Sequence, residues 1–257
     1  MPTRPSFLSA PARFLLPALL ALELCGCQTA GLDEVTGALG AKSEASRKLA
    51  AKPDLDGLRE RYRVSPNDPE IALQYGKALR DSGQRSQAVA VLEQAVLAHS
   101  SNKALLAAYG RALADNGNFQ QAFDVLSRAH SPEDPDWHIL SAQGAVLDQL
   151  GRNEEAQQYY ASALKIVPDE PSVLSNLGLS YVLQNNLPRA EETLRRAHER
   201  SPSDPRVRAN LALVLGLQGR QAEAESIVKA DLPPEEAAAK VAALRQLLVK
   251  KQQRAGR

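Results

Sequence analysis

Apolar positions along this chain recur at the three- and four-residue spacing of amphipathic helices, and that helical pattern itself repeats every 34 residues. Gly76, Gly110, Gly144 and Gly178 mark the interval, and Ala212 continues the series. Ala88, Ala122, Ala156, Ala190 and Ala224 follow at the same interval, as do Gly83, Gly117, Gly151, Asn185 and Gly219. Five copies run without insertion: 69–102, 103–136, 137–170, 171–204 and 205–238. Within the fourth, Leu174, Leu177 and Tyr181 share one helical face, and Ala190, Leu194 and Ala197 share another, so each copy predicts a pair of helices. A glycine inside the first helix is worse than alanine by about 1 kcal/mol, so its four-fold recurrence predicts a close approach by the second helix. The glycine seven residues later predicts a left-handed end to the first helix, with Asn185 as the non-glycine that best tolerates that conformation. Pro168, Pro171, Pro202 and Pro205 punctuate the joins. A single pair cannot bury its apolar face, so the copies are expected to stack as a solenoid.

The flanks read differently. Leu55, Leu58 and Tyr62 predict one helix, a half-repeat cap over 54–68. At the other end, Pro233 and Pro234 open a segment with Glu235 and Glu236 in its first turn and Lys250 and Lys251 near its end, the polarity a helix dipole favours. Val241, Leu244 and Leu248 give it a stripe, predicting a capping helix and basic tail over 233–257. Residues 1–26 carry Arg4 and Arg13, the apolar run Phe14 to Leu22, and small residues before Cys27: the layout of a cleaved secretory signal. The run is about half of the roughly 20 residues a membrane-spanning helix needs. Residues 27–53 are small, polar and weakly patterned, as in a flexible tether.

Composition narrows the class. The 41 Ala and 38 Leu outweigh 15 Val and 4 Ile, which predicts an all-α chain. A formal net charge of +1 provides no field for nonspecific nucleic-acid binding. Cys25 and Cys27 are too close for an ordinary disulfide and too few for a structural zinc site. No nucleophile elbow, phosphate loop or HExxH motif is present, so no enzyme, cofactor, metal or small-molecule substrate is expected. His99, His130, His138 and His198 are dispersed and read as surface histidines. Glu154, Glu155, Glu191 and Glu192 open second helices, where carboxylates suit the dipole.

The repeat positions resemble the tetratricopeptide pattern, most completely in PSVLSNLGLSYVLQNNLPRAEETLRRAHERSPSD, residues 171–204. The resemblance implies an all-α, right-handed helical solenoid with a concave groove lined by the first helices. Carried onto this chain, the groove positions include Lys77, Arg80 and Arg111, then Asn176, Leu179, Val182 and Leu183, then Asn210, Leu213 and Leu217. The groove would be basic at one end and apolar with amides at the other, suiting a peptide of mixed character. Leu24, Cys25, Gly26 and Cys27 resemble a bacterial lipobox, which implies a covalent lipid on Cys27 as the mature N-terminus; Gln28 after it resembles lipoproteins forwarded to the outer membrane. Cleavage there removes Arg4, Arg13 and Glu23 and leaves a neutral chain. The segments GAVLDQLGRNEEAQQYY, NLALVLGLQGR and DLPPEEAAAKVAALRQLL are similar to TadD-like tetratricopeptide lipoproteins of the Flp/Tad (tight adherence) pilus assembly system. This implies a non-enzymatic, outer-membrane, periplasm-facing scaffold whose partner is the pilus secretin or another pilus assembly component. A periplasmic scaffold for outer-membrane barrel assembly or cell-wall enzymes is the alternative.

Overall fold

The computed structural model describes residues 54–229, with Ala242 and Gln246 beyond them also helical. The signal sequence, Cys27, the tether and almost all of the C-terminal cap (233–257) lie outside the described residues. Eleven helices with named bounds are described: α1 (Leu55–Val64), α2 (Pro69–Asp81), α3 (Arg85–Ala98), α4 (Lys103–Asp115), α5 (Phe119–Ser127), α6 (Trp137–Gln149), α7 (Asn153–Ile166), α8 (Pro171–Leu183), α9 (Leu187–Arg200), α10 (Pro205–Leu217) and α11 (Gln221–Lys229). The even-numbered helices α2 to α10 are the first helices of the five pairs. Each packs on its own second helix, successive first helices pack on one another, and α1 packs on α2.

Two local rules build every pair. The first helix is started by an acceptor side chain on an N-terminal amide: Asp68 on Glu70 and Ile71, Asn102 on Leu105, Asp136 on His138, Glu170 on Ser172 and Asp204 on Arg206. Pro69, Pro171 and Pro205 follow three of these caps, where a missing amide hydrogen is harmless. The same helix ends in a Schellman turn, seen first where Gly83 at φ 79° donates to the Arg80 carbonyl and the next amide, Gln84, donates to the Leu79 carbonyl at 2.8 Å. Gly117, Gly151, Asn185 and Gly219 repeat this turn with positive φ, so the fixed left-handed residue aims each second helix back along the first.

The mid-helix glycines do face the second helices. A β-carbon on Gly76, Gly110 or Gly178 would stand 2.5 to 2.6 Å from the γ-carbon of Leu92, Leu126 or Leu194, and one on Gly144 would stand 2.7 Å from the Tyr160 ring. All four partners are fully buried, each side chain contributing about 1.5–3 kcal/mol by leaving water. In the fifth pair the glycine becomes Ala212 and the residue sixteen on becomes the smaller Val228, both buried in one apolar cluster. The repeat alanines Ala88, Ala122, Ala156, Ala190 and Ala224 are all wholly buried on the opposing helix.

Two departures from the repeat have local causes. Helix α5 stops at Ser127, and an isolated bridge between Ser131 and Asp134 carries the chain towards α6. Pro132 sits two positions earlier in its repeat than Pro168 and Pro202, and it removes an amide that a longer helix would need. Asp169 adopts a left-handed φ of 56° before α8. Its carboxylate is held by Arg196 and Arg200 of α9, each at 2.6 Å, and these hydrogen bonds keep it below the usual aspartate range.

Candidate functional site

The first-helix face divides into a half where charged side chains of both signs gather and a half dominated by uncharged polar side chains. In the first, α2, α4 and α6 enclose a hollow of about 440 Å³ that brings Lys77, Arg80 and Arg111 together over a floor of Leu73, Ala104 and Ala107. A second hollow of about 190 Å³ shares Arg80 and Arg111 and is floored by Ala114, Ala142 and Ala145. Small side chains at these positions make the depressions, since alanine reaches only one carbon from the backbone. Arg80 is occupied: its guanidinium holds the Asp115 carboxylate at 2.6 Å through two nitrogens. Lys77 is exposed and Arg111 half-buried, and among the described residues neither forms an ion pair or side-chain hydrogen bond. Burial, and then the like charge of Arg80, push Arg111 below the usual arginine range. It remains a cation at neutral pH, as arginine does in proteins.

The other half is built mainly from uncharged polar side chains that satisfy one another. Asn176 donates to the Ser141 hydroxyl at 3.2 Å, and one repeat later Asn210 donates to the Ser175 hydroxyl at 2.8 Å. A hollow of about 160 Å³ lies beside the second pair, lined by Asn176, Leu179, Arg206 and Val207 among others. Leu183 is 40% exposed, whereas Leu179, Val182 and Leu217 are half-buried against the C-terminal apolar cluster. Asn210 and Leu213 are buried at 4% and 6% exposure. Leu213 thus packs between repeats on α10, buried from Val207 to Gly216, whereas Asn210, though buried, also lines the hollow.

At the junction between the halves stands Asp148, near the end of α6. Its carboxylate accepts hydrogen bonds from Ser180 at 2.7 Å, Asn153 at 2.8 Å and Tyr160 at 2.9 Å. Burial pushes this carboxyl above the usual aspartate range, and the three donors pull it part of the way back. Tyr160 is driven well above its ordinary value by burial and by the Asp148 charge. The sequence reading passed over Asp148; its only signal was an acid four residues after Gly144, on the side of α6 that meets the next copy. The serine–asparagine pairs had a clearer one, two serines 34 residues apart, each followed 35 residues later by an asparagine.

His138 is exposed, in keeping with its reading as a surface residue, whereas His130 and His198 are partly buried. His130 shares a hydrogen bond of 2.9 Å with Gln143, and Nδ1 of both His130 and His198 is buried without a hydrogen-bond partner. Burial, then Arg208 and Arg195, hold His198 below the usual histidine range. Among the described residues no group of three His, Cys, Asp or Glu side chains could hold a metal ion, and no helix is long and apolar enough to cross a membrane.

Family models of the tetratricopeptide repeat match residues 73–136, 147–209 and 205–229, together more than half of the chain. No curated protein matches it in sequence. Among solved structures it is similar to MamA, at 23% identity and a TM-score of 0.51 over 63% of this chain and 96% of that one. MamA 41-end from Desulfovibrio magneticus RS-1 gives 18% identity and a TM-score of 0.50, over 69% and 95%. The human IFIT1 dimer with m7Gppp-AAAA gives 16% identity and a TM-score of 0.59 over 71% of this chain, which spans under half (47%) of the IFIT1 chain. At these identities the likeness concerns the fold. Repeated helix pairs, five equivalent turns and the family models agree: the chain belongs to the tetratricopeptide-repeat family, a fold that serves as a protein-interaction scaffold.

Proposed function

We propose that this protein is a non-enzymatic outer-membrane lipoprotein of Flp/Tad pilus assembly that helps the secretin reach or assemble in the outer membrane. One observation carries the reading: the segment DLPPEEAAAKVAALRQLL, residues 231–248, is similar to the TadD-like lipoproteins, and the repeat consensus does not dictate a terminal segment. The lipid on Cys27 anchors the chain, the tether spaces the repeats from the membrane, and the first-helix face holds a segment of the secretin on the periplasmic side. Acyl chains beyond the first turn marginal membrane affinity into stable anchoring. The hollows around Arg111 and the exposed Leu183 support this reading by offering both charge and apolar surface on one face.

The test is a deletion strain in which secretin multimers are followed in outer-membrane fractions. Loss or mislocalisation of the multimers, restored by the wild-type gene, is the expected result; normal multimers overturn the assembly role. Co-purification from membranes with barrel-assembly or cell-wall proteins, and without secretin, transfers the scaffold to that alternative. Replacing Cys27 by Ala should release the protein from the membrane, whereas replacing Cys25 should leave it anchored; the reverse result moves the lipid site.

A further inference from the structure

One position of the repeat is an apolar packing position in some copies and a histidine in others. Val96 in the first copy and Leu164 in the third stand there, and both join apolar clusters that include residues of the next first helix. The same place holds His130 in the second copy and His198 in the fourth, and each buries an Nδ1 that has no hydrogen-bond partner. Gln143 engages the other ring nitrogen of His130, whereas His198 is flanked by cations. It lies on α9, which among the described helices packs on α8 and α10. Helix α8 carries no charged side chain, and α10 carries Arg206 and Arg208, the latter only 7% exposed. On α9 itself Arg195 stands one turn earlier and Glu199 follows directly. The acids around this joint are engaged or solvated. Asp169 is held by Arg196 and Arg200, Glu170 accepts from Ser172, Asp204 caps α10 on the Arg206 amide, Arg195 pairs with Glu191 and Glu223, and Glu199 is exposed. A proton on Nδ1 would add a charged donor without an acceptor beside Arg208 and Arg195. Neutral imidazole leaves only an unused lone pair there, which costs far less.

We propose that His198 is an acid-sensitive latch on the joint between α9 and α10: the neutral ring keeps the fifth helix pair packed on the fourth, and its protonation loosens that pair while the first three copies stay closed. The direction agrees with the hold that burial, Arg208 and Arg195 exert on this histidine, below its ordinary range. The opened chain takes up the proton more readily than the closed one, so the joint is tightest above the ordinary histidine range. Its stability falls as pH drops through that range towards the closed-state value, and below that value the loss is constant. Opening draws α10 from α8 and separates Asn210 from Ser175, so acid would dismantle the C-terminal end of the first-helix face first. Asp148, which ties copies three and four together through Ser180, responds to acid with the opposite sign. The latch is therefore local to one joint, and it is independent of which partner the scaffold holds.

The experiment follows hydrogen exchange of the full chain in detergent by mass spectrometry at pH 7.5 and pH 5.5, corrected for the intrinsic rate of each peptide, so that every copy is read separately. At pH 5.5 the corrected exchange of residues 205–229 should be about threefold faster or more, with residues 103–149 changed far less. His198→Leu, the residue type the third copy carries at this position, should erase the response of 205–229. His198→Gln, polar but without a titration, should erase it too, which separates the proton from the packing. His130→Leu should leave it in place. Equal corrected exchange at the two pH values in 205–229, a response that persists in both His198 variants, or one spread evenly over all copies overturns the latch. A response lost equally in His130→Leu overturns its assignment to His198.

Discussion

The two halves of the first-helix face use polar side chains in opposite ways. Between copies one and three the charges line hollows floored by alanine, and Arg111 makes no ion pair among the described residues, with Asp115 and Asp136 as its nearby acids. Between copies three and five the polar groups face one another across the repeats, Ser141 with Asn176, Ser175 with Asn210 and Asp148 with Ser180, and Asp148 also accepts from Tyr160 within its own copy. The same helical positions are involved, since the alanines at 107 and 142 occupy the places that Ser141 and Asn176 hold one repeat later. One half thus leaves open hollows between its helices, and the other uses its polar groups to tie neighbouring repeats together. Tetratricopeptide geometry permits either, because the consensus fixes the buried small residues and leaves the first-helix face free to vary.

The largest test removes the anchor of the self-satisfied half. Tyr160 is 1% exposed, fills the space that Gly144 leaves and donates to Asp148. Tyr160→Ala should lower unfolding stability by about 3–5 kcal/mol in urea titrations; a loss under 1 kcal/mol would mean that the second helix does not seat there. Next in size is overpacking from the other side. Gly144→Leu places carbon where the Tyr160 ring stands 2.7 Å away and should lose about 1–3 kcal/mol, with a fall in melting temperature. An unchanged melting curve would remove the close helix approach.

Much of the fold was legible because the repeat encodes it in backbone and volume. Gly83, Gly117, Gly151 and Gly219 could be assigned left-handed geometry because few other residues adopt it cheaply, and Asn185 obeys the same rule. Gly76 and its equivalents signalled close approach because glycine in a helix needs a reason. The early end of α5 at Ser127 was not foreseen, because the repeat average outweighed the shifted Pro132. The left-handed Asp169 was missed because its stabilisation by Arg196 and Arg200 is tertiary. On the first-helix face, Lys77, Arg80 and Arg111 were found by position alone, whereas the burial of Asn210 and Leu213 and the triple hydrogen bonding of Asp148 depend on how neighbouring copies meet.

A smaller effect follows from the sign of the Asp148 shift. Its folded-state carboxyl titrates above the unfolded one, so between the two values the folded chain binds more protons. Stability from this group is greatest when it is protonated and falls as pH rises through and beyond the ordinary aspartate range. Asp148→Asn removes that titration, so the variant should gain stability relative to the wild type from pH 4 to pH 7 in urea titrations. A constant difference, or one that moves the other way, would mean that the three donors outweigh the burial.

The smallest effect isolates one polar pair and then moves it. In a double-mutant cycle with Ser175→Ala and Asn210→Ala, the coupling should be about 0.5–1.5 kcal/mol, the range of a net intramolecular hydrogen bond. The transplant is the sharper half of the experiment. Ala107→Ser with Ala142→Asn writes the same pair between copies two and three, on the floors of the two hollows beside Arg111. If register is what the pair supplies, the coupling should reappear at a similar size, because backbone geometry repeats from copy to copy. If the hollows exist because that half is kept clear for a partner, the doubly substituted protein should bind the secretin segment more weakly even as its stability rises. Coupling without loss of binding would show that the alanine floor is not used, and the contrast between the two halves would then rest on Arg111 alone.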